Sequence, residues 1–108
     1  MSLRTRQQRR TMTADGITHA LTWRPARPFL GETAGLWALY TTAGYVDDRN
    51  CGNALAWVHA GPDVGPAELS AWTAPAAGFP VDLESVEPPL RPFGDTTIET
   101  RFWVRRAA

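Results

Sequence analysis

The chain has 108 residues, enough for one domain with one core. Its formal charge is zero, eleven Arg set against eleven Asp plus Glu, and it contains no Lys. The missing Lys excludes a Schiff-base lysine and a P-loop lysine, and every cation is a planar guanidinium suited to bidentate contacts and stacking. Cys51 is the single cysteine, so no internal disulfide is expected and a reducing, cytoplasmic setting is the simplest reading. No run of 18 apolar residues occurs, so no membrane partner is expected.

Leu, Ile, Val and Phe are few, and many of the apolar residues are Ala. Large aromatic side chains must therefore carry much of the core, each burying roughly 150–250 Å². Five Trp are present for this: Trp23, Trp37, Trp57, Trp72 and Trp103.

In chain order, residues 1–14 read as a basic flexible arm with Arg4, Arg6, Arg9 and Arg10 and no apolar stretch behind them. Ile17, His19, Leu21 and Trp23 alternate with Thr18, Ala20, Thr22 and Arg24, the period of a half-buried strand. Pro25 and Pro28 end it. Leu36 to Val46 is a second apolar run, expected as a strand with a bulge near Gly44. Asp47 to Asn53 is a polar loop, and Asn53 to Ala60 alternates again, so the two runs predict a hairpin.

Pro66 to Thr73 is ambiguous. Pro66 suits the first position of a helix, but Pro75 leaves it little length, which favours a short strand. Residues 74–95, with Pro75, Pro80, Pro88, Pro89 and Pro92, read as a long Pro/Gly-rich loop. Thr96 to Arg105 is a clear strand, with Ile98, Thr100, Phe102 and Val104 on one face and Trp103 between Arg101 and Arg105 on the other. The whole predicts residues 15–108 to be one mainly β domain. About five to six strands would form a small antiparallel sandwich or a partly open barrel.

The chemistry on offer is sparse. His19 and His59 lack the third and fourth ligands of a metal site, so no metal and no cofactor is expected. Cys51 sits beside Asp47 and Asp48, which raise a thiol pKa, and the Asp/Asn loop lacks the spacing of an EF-hand. No G-x-S-x-G, G-x-G-x-x-G or P-loop pattern occurs. No catalytic set is assigned, and the reading points away from an enzyme. P-x-x-P at Pro89–Pro92 is a weak match in a proline-rich chain.

Five indoles exceed what so small a sheet is expected to shelter. The surplus predicts a protein–protein interaction or assembly subunit, a component of a virion or other large complex, and a protein partner or homo-oligomer. Trp37, Trp72, Trp103, Arg91 and Phe93 are the expected contacts. Nucleic acid is expected only through Arg4, Arg6, Arg9 and Arg10, because the body beyond residue 14 is net acidic. The alternative is a small barrel binding a hydrophobic small molecule, without a cofactor even if catalytic, in a pocket of His19, His59, Trp57 and Tyr40.

Overall fold

The period-two segment 17–24 forms strand β1 (Ile17–Arg24). The computed structural model describes residues 16–47, 54–93 and 96–108; the basic arm, Cys51 and most of the polar loop lie outside them. A single turn of 3₁₀ helix at Pro28–Leu30 leads to β2 (Leu36–Thr41). The apolar run does not continue as a strand to Val46, as the sequence had suggested. It enters helix α1 (Thr42–Asp47), because the Thr41 hydroxyl accepts the Gly44 N–H at 3.1 Å and caps the turn. Strand β3 (Ala56–His59) returns antiparallel to β2, completing the expected hairpin.

Residues 66–77 form helix α2 (Pro66–Ala77), where a short strand within 66–73 was favoured over a helix and the loop was expected from residue 74. Pro66 occupies the first turn, and Gly78 at φ 90° closes the end by donating its N–H to Ala74 O at 2.9 Å. Pro75 falls in the last turn, where one lost hydrogen bond is tolerated. Leu69, Trp72 and Ala76 follow a helical spacing and pack on the sheet. The stretch expected as a long loop is also more ordered. After α2 it runs as β4 (Val81–Leu90), with its pairing to β5 interrupted between Ser85 and Leu90, where the prolines lie. The last strand is β5 (Glu99–Arg106).

The five strands make one open antiparallel sheet in the order β3-β2-β1-β5-β4. The chain is mainly β with five antiparallel strands, as expected, and they lie in one sheet that does not close. Helix α2 covers one face, over Leu21, Trp37, Leu39 and Val104. On the far face Ala20, Tyr40, Tyr45, Val86, Phe93, Ile98 and Trp103 form a second cluster.

Two bulges distribute residues between these faces. Thr18 is the extra residue on β1, and Arg101 is the extra residue on β5. Strict alternation would put Thr100 on one side with Phe102 and Val104. The bulge instead turns Thr100 to the far face with Trp103, the two lying opposite Thr22 and Ala20. Arg101 then stacks on Trp23, 5.2 Å from the ring centroid, and does not cover Trp103.

Two substitutions test this packing. Leu69→Ala opens a cavity under α2 at a side chain only 2% exposed; a loss of about 2–4 kcal/mol is expected by urea denaturation. Thr73 Oγ1 is buried with no hydrogen-bond partner. Thr73→Val removes that unpaired hydroxyl at similar size, so its urea midpoint should equal or exceed that of the wild type.

Candidate functional site

On the far face, at the β3 side of the sheet, lies a cleft of about 290 Å³. Its floor is Thr22, Ala38 and Tyr40, its walls include Arg24, Arg27 and Glu32 on one side, and Trp57 and His59 stand on the other. Tyr40, Trp57 and His59 share this face because β2 pairs with β3 as Ala38↔Trp57 and Leu36↔His59, two residues apart along each strand.

The wall on the β1 side is fastened by one ion pair. Arg24 donates Nη1–H to Glu32 Oε1 at 2.6 Å and Nη2–H to Oε2 at 2.8 Å, a bidentate fork that leaves both side chains largely buried. The backbone N–H of Arg27 adds a hydrogen bond to Glu32 Oε1 at 2.8 Å, and Arg24 also donates to Pro25 O. The excursion between β1 and β2 is thus tied back to the end of β1. These donors, the Arg24 fork first and the Arg27 N–H next, hold the Glu32 carboxyl down to about 2.

The opposite wall is fastened by indoles. Trp23 Nε1–H donates to Ala60 O at 3.0 Å and Trp37 Nε1–H to Gly61 O at 2.9 Å, holding the end of β3 against the sheet. Gly35 makes room for this: a Cβ there would collide with the Trp23 ring and lie 2.6 Å from Arg24 O.

Three of the four residues expected to share a ligand pocket, Tyr40, Trp57 and His59, do share this cleft. His19 does not. Its strand is not a neighbour of β3, and its ring faces the α2 side, 5.9 Å from Phe79, where burial pushes its pKa below 6.5. Arg24, Arg27 and Glu32, which sequence reasoning did not single out, complete the site. The Arg-Pro-x-Arg-Pro…Glu pattern was the available signal, an acid returning to a strand-terminal Arg.

The aromatics expected as outward anchors are mostly inside. Trp37 is 1% exposed and Trp103 is 5% exposed, with Trp103 edge-on to Tyr45 at 5.5 Å. Phe93 is buried against Tyr40 and Tyr45, and Trp72 is half-buried on α2. Arg91 remains exposed, 3.6 Å from Glu99. The sheet shelters these rings because α2 covers one face and the Tyr45, Phe93 and Trp103 cluster fills the β5 side of the other, a capacity that a count of indoles does not reveal. Trp57 alone of the five is exposed, at 63%. Arg4, Arg6, Arg9 and Arg10 lie outside the described residues.

Among the described residues no group of three or more His, Cys, Asp or Glu is placed to hold a metal ion. No helix among them is long and apolar enough to cross a membrane. No family model matches the chain, and no curated protein or solved structure matches it either.

The Glu32 staple has a pH signature. With its carboxyl at about 2 when folded and near 4.5 otherwise, the pair stabilises the fold above pH 4.5 and loses that contribution as pH falls towards 2. The urea midpoint of the wild type should exceed that of Glu32→Gln above pH 4.5, and the gap should close between pH 4.5 and 2. A gap constant over that window would count against the staple.

Proposed function

We propose that the chain is a non-enzymatic protein-interaction module, a subunit that docks onto a protein partner at the rim of this cleft. One observation carries the reading. Among the described residues the exposed large hydrophobics are Phe29, Leu30, Leu55 and Trp57, and they belong to the two segments that wall the cleft. Apolar surface gathered around a concavity favours a docking site over scattered exposure.

The sheet edges support the same reading. Strand β4 presents exposed Asp82, Glu84 and Glu87 and carries Pro88 and Pro89, features that discourage strand addition. Strand β3, at the other edge, is Ala-Trp-Val-His and carries no carboxylate or guanidinium. One edge is blunted and the other is left able to pair. A virion or other large complex would employ a subunit of this kind.

The cleft itself favours a second reading, in which it holds a small amphipathic molecule. Its volume is near the lower end for ligand pockets, about 300–1,000 Å³. Its lining sets the Arg24–Glu32 pair and Arg27 against an exposed indole, on which an aromatic molecule would stack. Quenching of indole fluorescence by benzoate in the wild type and its loss in Trp57→Phe would support this use; no quenching at millimolar benzoate would remove it.

A photo-reactive phenylalanine analogue tests the docking reading. Placed at position 55 in producing cells, it should yield a discrete covalent adduct; placed at position 82 on the blunted edge, it should not. Equal adducts from both positions, or none from either, would overturn the proposal.

A further inference from the structure

The hydrogen bonds between β4 and β5 set the phase of the β4 edge. Ala107 N–H donates to Pro80 O at 2.9 Å, one step beyond the Val81↔Arg106 pair. Main-chain groups alternate in direction along an antiparallel ladder, so Asp82 and Glu84 turn theirs to β5, and Val81, Leu83 and Ser85 turn theirs outward. No strand lies beyond β4 among the described residues. Val81 and Leu83 pack on the α2 side, which puts the Asp82 and Glu84 side chains on the far face.

We infer that residues 4–10 of the chain's own basic arm add to this edge as a sixth strand, antiparallel to β4, with Arg4, Arg6 and Arg10 on the face that carries Asp82 and Glu84. Position favours this occupant. Ile17, Arg105 and Asp82 lie in one row across β1, β5 and β4, so the arm leaves the sheet at the end where β4 begins. Gly16, at φ 77°, turns the chain there, beside Arg105. β1 and β4 are parallel, each being antiparallel to β5, so a chain doubling back from the start of β1 runs antiparallel to β4. The arm is also long enough. The slot beyond β4 is three strand spacings from β1, about 14 Å. Residues 11–15, extended, span roughly 17 Å and leave residues 4–10 to lie along Val81–Ser85.

Charge favours the same occupant. Residues 1–14 hold four Arg and no Asp or Glu, a formal charge of +4, and residues 15–108 hold seven Arg against eleven Asp plus Glu, a formal charge of −4. Glu32 and Glu99 are already engaged by Arg24 and Arg101. Asp63 and Glu68 follow β3, whose end lies in the row of Arg24, at the opposite end of the sheet from Gly16. Asp82, Glu84 and Glu87 are exposed along β4, and no ion pair among the described residues takes up Asp82. Arg4, Arg6 and Arg10 share one parity, hence one face of a strand. Carboxylates that discourage other strands at this edge thus favour one that brings guanidinium groups.

Paramagnetic broadening on the full chain tests the placement. A nitroxide on Gln7→Cys in a Cys51→Ser background keeps every Arg. It should broaden the Val81–Ser85 amides most and the Ala56–His59 amides least, since β3 lies about 24 Å away across five strand spacings. Labelled chain mixed with isotope-enriched, unlabelled chain should show no broadening. Hydrogen exchange gives a second reading: the outward Leu83 and Ser85 amides should exchange about tenfold faster after deletion of residues 2–11, with circular dichroism unchanged. Replacing Arg4, Arg6 and Arg10 together by Ser should reproduce that loss at low salt.

Broadening centred on any other element, or equal exchange of Leu83 and Ser85 with and without the arm, would overturn the inference. Broadening of β4 in the mixed sample would give this edge to the arm of a second copy and overturn it equally.

Discussion

The fold depends on a cross-strand pair of indoles. Trp23 on β1 and Trp37 on β2 stand directly opposite one another, on the face that α2 covers. Each ring makes apolar contact with its body and donates its N–H to a carbonyl at the end of β3, Ala60 for one and Gly61 for the other. A buried indole without such an acceptor pays a desolvation penalty of about 1–3 kcal/mol, so the acceptors are as necessary as the rings. Arg101 lies over the outer side of Trp23, and the absence of a side chain at Gly35 lets the ring lie flat against the backbone. Through this pair the position of β3, and with it the wall of the cleft, follows from packing on the opposite face of the sheet.

The far face is organised by different means. Tyr45 swings back from α1 to accept a hydrogen bond from Thr100 at 3.1 Å and packs against Trp103 and Phe93. This aromatic group fills the half of the face nearer β5. The half nearer β3 has no comparable cover among the described residues, and the cleft occupies it. Arg24 and Glu32 satisfy each other at its margin, so two charges are buried there without either being left alone. The site is therefore the part of the sheet that the chain's own aromatic side chains do not reach.

Much of this architecture was legible in local sequence. The alternation in 17–24 placed β1 within its observed bounds, and the two apolar runs around the polar loop gave the β2–β3 hairpin. The failures have physical causes. In 66–77 the prolines point away from a helix, although Leu69, Trp72 and Ala76 carry a helical period. Residues 81–84 alternate Val, Asp, Leu, Glu, but the prolines that follow masked a strand permitted at an edge. The bulge at Arg101 has no local signal: it exists because Thr100 and Trp103 are both needed on the far face, a demand set by partners distant in sequence. For the cleft, pairing of Tyr40, Trp57 and His59 followed from strand parity. The Arg24–Glu32 fork depended on a loop conformation that parity does not describe.

The central ladder joins the first strand to the last. β1 pairs with β5 along Ile17↔Arg105 to Trp23↔Glu99, while among the described residues β4 has no strand neighbour except β5. During synthesis β1 to β4 can form only the β1–β2–β3 meander, with one side of β1 unsatisfied and β4 wholly unpaired. The sheet therefore becomes continuous in a late, long-range step, the kind of closure that makes folding slow and leaves strand edges open meanwhile. For a nascent chain, occupation of β1's vacant side by some other strand is the hazard this topology builds in.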